Sequence, residues 1–310
     1  MAQLSRRDFL KTAGIALMGA TAGSSAIAKV GEKELKALVD RKSGFTMWQL
    51  NTQCNQIGNT YVFVTDKGRV IVMDGGHQED EYYLRGFLAM LGNKVDTWFI
   101  SHPHIDHMGS LLGILKAPRG ITIRRIIHSR FNDALIEGES YCVESCRDFY
   151  AELDKAKDIE IINLTRPGLE ESIDGFNYKI LGVANPELMM NTYNNSSVII
   201  RVWDKRKSLV FLGDAGIECG NKVLNSPYRP LLDCDYLQMA HHGQNGCDEH
   251  FYKTINFRAC LWSTPQWVWE NNAGKGINTH HLKTFDTRRW MDEKGIKEHH
   301  VSWMGLWQLD

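Results

Sequence analysis

The chain has 310 residues, of which 43% are hydrophobic and 24% charged, and its formal net charge is −1. That apolar content suffices for a sizeable core, and the near-neutral balance argues against a broad electrostatic footprint for nucleic acid while leaving a local basic groove open. Without a proline-rich linker, low-complexity tract or repeat to divide them, residues 29–310 read as one domain.

The chain begins with Ser5-Arg6-Arg7-Asp8-Phe9-Leu10-Lys11, then a moderately apolar, Ala- and Gly-rich run to Ile27 and a small-residue site at Ala26-Ile27-Ala28. This pattern predicts a twin-arginine signal peptide over 1–28, export by the Tat translocase, and a periplasmic or extracellular mature chain. The run is short for a membrane anchor, so no stable span is expected. Cleavage would remove three cations and one anion and leave the mature chain mildly acidic at −3.

Beyond the leader, Phe45–Leu50, Thr60–Thr65 and Arg69–Met73 are strand-like, the last two joined by an Asp66-Lys67-Gly68 turn. Asp74 closes the third run, and Gly75-Gly76 behind it permits close backbone packing beneath a site. Gln78–Leu91 has helical spacing. A strand over 96–100 leads into His102-Pro103-His104-Ile105-Asp106-His107 and then a helical pattern. Imidazoles with a nearby carboxylate suit a divalent cation. In an extended segment His102 and His104 share a side. A helix starting there projects Asp106 and His107 from its first turn. One loop can therefore serve two adjacent cations.

A strand over 121–128, one helix over 135–155 and a strand over 159–164 are expected next. Cys142, Cys146, Phe149 and Leu153 share one apolar stripe, so these thiols read as buried rather than as a metal pair. The seven cysteines follow no zinc-finger spacing, and an odd number leaves at least one without an intramolecular partner. Strands at 178–183, 197–203 and 208–212 follow, the last running into Asp214, a carboxylate able to bridge two cations. A short helix near 217–224 precedes a strand over 235–239 that ends at His241-His242-Gly243. Helices near 248–255 and 280–294, a strand over 259–263 and a closing strand over 298–308 complete the pattern. Two sheets packed face to face with helices outside satisfy this order.

Asp74 with its glycines, His102-x-His104-x-Asp106-His107, Gly213-Asp214 and His241 together resemble the metallo-β-lactamase superfamily. Asn194-Asn195-Ser196-Ser197-Val198, Leu212-Gly213-Asp214 and Ala240-His241-His242-Gly243 are similar to one branch of it, the metallo-hydrolase domain of the DNA-uptake protein ComEC/Rec2 and its free-standing relatives. The resemblance implies an α/β fold, a four-layer αβ/βα sandwich, with two divalent metal ions at one edge between the sheets. It implies His102, His104 and Asp214 on one ion and Asp106, His107, His241 and Asp214 on the other, with zinc the first expectation and manganese the second. Typical members supply a further histidine between the first motif and the aspartate, which this chain lacks. Asn194 and Asn195 stand near its place and, with Asp74 and His242, are expected around the ligands. Asp106 would also orient the nucleophilic water.

In the segment 262–281, His280 or His281 is expected to donate to the substrate or leaving group, and Trp267 and Trp269 to stack on a ring or base. The alternative is a structural loop whose tryptophans pack on the sandwich. The functional expectation is an exported metal-dependent hydrolase, with phosphodiesterase or nuclease activity suggested by the branch and a nucleotide, nucleic acid or small molecule as substrate. The alternatives are a hydrolase of small cyclic amides or esters, such as β-lactams or lactones, and a non-catalytic metal-containing binding module.

Overall fold

The computed structural model describes residues 44–310; the expected signal peptide at 1–28 lies outside them. The first half gives β1 (Phe45–Gln49), β2 (Thr60–Thr65), β3 (Val70–Asp74), α1 (Glu81–Met90), β4 (Lys94–Val95), β5 (Thr97–Phe99), α2 (Ile105–Lys116), β6 (Thr122–Ile123), β7 (Arg125–His128), α3 (Asp133–Glu137), α4 (Val143–Lys155) and β8 (Glu160–Asn163). The second half gives β9 (Glu170–Ile173), β10 (Phe176–Gly182), β11 (Ile199–Trp203), β12 (Ser208–Phe211), α5 (Ile217–Leu224), β13 (Tyr236–Gln238), α6 (Glu249–Thr254), β14 (Ala259–Trp262), α7 (Gln266–Trp269), α8 (Thr284–Lys294), β15 (Glu298–Val301) and β16 (Trp307–Leu309).

Two seven-stranded sheets result, ordered β16-β1-β2-β3-β5-β7-β8 and β15-β14-β13-β12-β11-β10-β9, with β4 and β6 as a small separate pair. Each sheet is antiparallel in one half and parallel in the other: β3, β5, β7 and β8 run parallel in the first, and β12 through β15 in the second. Side chains alternate between faces. On β2 and β3, Tyr61, Phe63, Ile71 and Met73 point between the sheets, while Val62, Val64, Val70 and Val72 point outward. The inner layer is aromatic: Phe63 meets Phe45, Phe176 and Phe211 edge-on at 5.5, 5.0 and 5.8 Å. The outer face of the first sheet packs on α1, α2 and α4, and that of the second on α5, α6 and α8. The chain thus has the expected four-layer α/β/β/α sandwich. Among the described residues, no helix is long and apolar enough to cross a membrane.

The structure departs from the sequence pattern in three places. The helix expected over 135–155 breaks at Gly138–Cys142 into α3 and α4. A Cβ on Gly138 would lie 2.4 Å from Thr192 Oγ1, so the chain passes close to a second loop where the break begins. The closing strand is two strands: β15 lies parallel to β14, and β16 crosses to pair with β1 in the other sheet. The edge strand β9 was not expected, because Glu170 and Glu171 hide its pattern; charge on an edge discourages pairing with other chains. All seven cysteines are free, and Cys142 and Cys146 are buried, in line with the apolar-stripe reading.

His128 ends β7 only 2% exposed, with Nε2 unpartnered. Burial, aided by Arg130 and opposed by Asp154, pushes its imidazole down to about 4. The folded value lies below the unfolded one, so no penalty exists above pH 6.5. It grows as pH falls through that value and is complete below 4, at roughly 3 kcal/mol. Chemical denaturation at pH 7 and pH 5 should show His128→Leu losing about 2 kcal/mol less than the parent over this interval. Equal losses would mean that His128 does not carry this acid sensitivity.

Candidate metal centre

The parallel halves of both sheets deliver their strand ends to one edge. Asp74 closes β3, His102 and His104 follow β5, Asp214 follows β12, and His241 and His242 follow β13. Hydrogen bonds lock these loops together: Val198 N–H donates to Ser101 O at 2.8 Å, Asp214 N–H to the Ser197 hydroxyl oxygen at 3.0 Å, and His241 N–H to Gly213 O at 3.1 Å. Gly213 has φ 56°, and a Cβ there would sit 2.9 Å from both Ser101 Cβ and Ser197 Oγ. Only glycine lets the two sheets approach so closely at this point.

Two donor sets converge on Asp214. In the first, His102 Nε2 and His104 Nδ1 face each other at 3.0 Å, and Asp214 Oδ2 is 3.9 Å from His102 Nε2. In the second, His107 Nε2 lies 3.1 Å from Asp214 Oδ1 and 3.5 Å from Asp106 Oδ2. His242 Nε2 lies 3.0 Å from Asp106 Oδ2, 3.3 Å from Asp214 Oδ2 and 3.3 Å from His107 Nε2. The sequence reading gave this place to His241, and the structure gives it to His242. His241 (φ 51°, ψ 49°) and His242 (φ 57°, ψ 21°) are successive left-handed residues, and the turn they make carries the second imidazole into the cluster. His241 stands beside it, with Nε2 3.8 Å from Asp214 Oδ2.

Buried partners aim these rings. His107 Nδ1–H donates to Asp74 Oδ2 at 2.8 Å, and His242 Nδ1–H donates to the Ser263 carbonyl at 2.8 Å, so both Nε2 atoms face the cluster. Asp74 is held by Ser101 N–H at 2.7 Å, Ser101 Oγ–H at 2.9 Å and Asn59 Nδ2–H at 2.6 Å. His102 Nδ1 sits 3.1 Å from Ser101 Oγ. His104 Nε2 lies 2.9 Å from Glu139 Oε2, a residue the sequence reading missed because it falls inside an uninterrupted helical pattern.

The electrostatics favour ligation. Burial would lower the His107 imidazole, but Asp214, Asp74 and Asp106 hold it well above its ordinary value; Asp214 and Asp106 likewise raise His242 to about 9 against burial. Burial would raise the Asp106 and Asp214 carboxyls, yet the neighbouring imidazoles, His107 foremost, hold both low and charged. His102 is pushed well below its ordinary value by burial and by His107 and His104. Nitrogen faces nitrogen at 3.0 and 3.3 Å, and beside the cluster His241 Nδ1 and Asn194 Oδ1 are buried without a hydrogen bond. A set of imidazole and carboxylate donors with polar atoms left orphaned is what divalent cations would satisfy, so the residues present fit them.

A cleft of about 430 Å³ opens onto the cluster, lined among others by Ile57, Ile105, Tyr141, Asn194, His241 and Trp267. Asn194 thus reaches the cleft. Asn195 does not: it is spent on Met190 O, Glu218 Oε2 and the Cys219 N–H. Of the two tryptophans only Trp267 lines the cleft. Residues two apart on a helical turn face opposite sides, and Trp269 packs edge-on against Trp262 at 5.3 Å beneath the Arg288 guanidinium at 4.1 Å. His280 and His281 fall outside the cleft lining; the His280 ring is 6.1 Å from Trp267, and His281 is exposed beside it. A larger groove of about 550 Å³ lies at the opposite strand ends, but its Lys207 and Lys179 are paired with Asp204 and Glu170, and Arg201 with backbone carbonyls.

The metallo-beta-lactamase superfamily model matches residues 55–241, more than half of the chain, and the chain belongs to that superfamily. Its members are mostly hydrolases. Among solved structures, the metallo-beta-lactamase fold protein YhfI from Bacillus subtilis aligns at 13% identity and TM-score 0.51, over 86% of this chain and 100% of that one. A mutant of CmlA beta-hydroxylase aligns at 11% identity and TM-score 0.53, over 99% of this chain and 60% of that one, so this chain spans three fifths of that protein's length. At such identities the likeness concerns the fold alone. No curated protein sequence matches the chain.

The geometry distinguishes the paired histidines. Titration of metal-free protein with Zn²⁺ should show His242→Ala weakening one site by at least about 100-fold, and His241→Ala by about 10-fold or less; the reverse order would return the ligand role to His241. The carboxylates favour the protonated form of His107 and His242 in the metal-free chain, and a cation must displace those protons. Zn²⁺ affinity should therefore climb with pH up to about 9. A flat profile would contradict the charge state derived for these rings.

Proposed function

We propose that the chain is a metal-dependent hydrolase whose cleft would hold divalent cations that activate water for attack. The observation that carries this reading is the convergence of two donor sets on one buried carboxylate, Asp214, at the floor of an open cleft. His102, His104 and Asp214 would hold one cation, and Asp106, His107, His242 and Asp214 the other. Bound there, divalent cations supply a water of lowered pKa and Lewis acidity toward the scissile group. Four imidazoles and two carboxylates suit zinc, and the oxygen-donor share, with the Asn194 amide nearby, keeps manganese as the second metal.

The chain's own residues do the rest. Asp106, whose side chain is partly exposed and lines the cleft, would orient the attacking water. Asp74 and Ser263 hold His107 and His242 in one tautomer, so that no ring reorientation accompanies turnover. Trp267, Tyr141, Ile57 and Ile105 form the apolar wall against which a substrate rests.

Resemblance of the Asn194–Val198, Leu212–Asp214 and Ala240–Gly243 segments to the ComEC/Rec2 branch supports a phosphodiesterase, and the Ser5–Lys11 motif with its Ala26-Ile27-Ala28 site supports export by the twin-arginine route to the periplasm or beyond. The apolar wall and the modest cleft volume support a second reading, hydrolysis of a small cyclic amide or ester.

A panel of a phosphodiester, a β-lactam, a lactone and a simple ester, offered with Zn²⁺ and with Mn²⁺, tests the proposal. At least one should be turned over, chelation should abolish the rate, and His104→Ala or Asp106→Asn should lower kcat/KM by at least about 100-fold. Stoichiometric cation binding without turnover of any substrate would favour a binding module instead.

A further inference from the structure

The geometry points to Glu139 as the positioning residue that selects the orientation and tautomer of His104, presenting Nδ1 to the first donor set. This inference rests on the metal centre proposed above. Glu139 lies 35 positions beyond His104, in the short break between α3 and α4. Its side chain is 9% exposed, and both oxygens are engaged. Oε2 accepts from His104 Nε2–H at 2.9 Å and from the Tyr141 hydroxyl at 2.7 Å. Oε1 accepts from the Tyr193 N–H at 3.0 Å and, at 3.5 Å, from Thr192 Oγ1–H. The carboxylate is therefore clamped from the opposite wall of the cleft, by the loop that also carries Asn194.

The packing around His104 shows why such a residue is needed. The imidazole lies flat on Tyr193, with ring centroids 5.0 Å apart and planes 10° apart, and Tyr141 covers it more loosely at 6.2 Å and 27°. Stacking fixes the plane of a ring but not which edge points where. A half-turn about the last side-chain bond would exchange Nδ1 with Cδ2 and Nε2 with Cε1 without disturbing either stack. A carbon would then face His102, and the first donor set would lose a ligand. The bond from Nε2–H to Glu139 breaks this degeneracy. It also requires the proton on Nε2, which leaves the Nδ1 lone pair free 3.0 Å from His102 Nε2. Glu139 meets none of the atoms that face the cluster: it contacts His104 at Nε2, the side of the ring away from His102, and acts through that residue.

The test compares the parent chain with Glu139→Gln and Glu139→Ala, using Zn²⁺ alone as the probe. Isothermal titration should show one of the two sites weakened by about 10-fold in the glutamine variant and up to about 100-fold in the alanine variant. Long-range proton–nitrogen spectra of the zinc-loaded chain should show one Nε2–H form of His104 in the parent and a mixture or loss of that form in the alanine variant. If the alanine variant does not fold, the glutamine variant, which keeps the size of the side chain, decides by the same two readings. Parent affinity and a single Nε2–H form in a folded variant would overturn the inference while leaving the metal centre intact. So would a lowered Tm with affinity unchanged, which marks a purely structural role. A parent chain that binds no Zn²⁺ would instead sink the metal-centre reading itself, and this inference with it.

Discussion

One carboxylate holds the site together. Asp214 is 1% exposed and lies within 4 Å of nitrogens from His102, His107, His241 and His242. It belongs to the second sheet, whereas His102 and His107 belong to the loop that leaves the first. A buried charge of this kind is costly unless it is paired. The imidazoles that pair it come from both sheets, so the electrostatics that neutralise Asp214 also fix how the two sheets meet. Cations placed among the same atoms would replace proton-mediated attraction with coordination and remove the facing of nitrogen against nitrogen.

Backbone strain gathers at the same edge. Asp74, His241 and His242 are non-glycine residues with positive φ, a conformation that costs each of them of order 1 kcal/mol or more. The surroundings hold them there. Asp74 is tied by three donors besides His107, the Trp98 indole N–H donates to its carbonyl oxygen, and the His242 carbonyl accepts from Thr264 Oγ–H at 2.6 Å. The aromatic layer between the sheets and the aliphatic layers outside them supply the stability against which such strain can persist.

This division explains what could be read from the chain. Strands buried on both faces show as short apolar runs, and the ligand loop after β5 shows as a dense local motif, because each depends only on neighbours in sequence. The family, the layered fold and the convergence of His102, His104, Asp106, His107 and Asp214 followed from those local signals. The choice between His241 and His242 did not, because two adjacent residues in a left-handed turn differ in direction and not in composition. Trp267 and Trp269 posed the same difficulty across one helical turn. Glu139 was hidden for a different reason: the helical pattern runs unbroken through 135–155, and Thr192, which Gly138 meets where the break begins, lies far away in sequence.

The parallel halves of the two sheets set where chemistry can occur. Parallel strands send all their carboxyl ends to one edge, so β3, β5, β12 and β13 each contribute a loop to the same place, whereas the antiparallel halves alternate their ends and bring only every second connection there, as with Asn59 before β2 and Ser197 before β11. The antiparallel halves instead carry much of the aromatic packing, through Phe45, Phe63 and Phe176, and β16 closes the edge of the first sheet after crossing from the second. The candidate ligands all follow parallel strands, and much of the cleft wall comes from the other connections. The wall formed by the 138–142 break and the 191–196 loop is of this second kind. Its side chains approach the ligands through His104, held by Glu139 and stacked on Tyr193, and through Asn194 at the cleft, so it shapes the approach to the four strand ends beneath it.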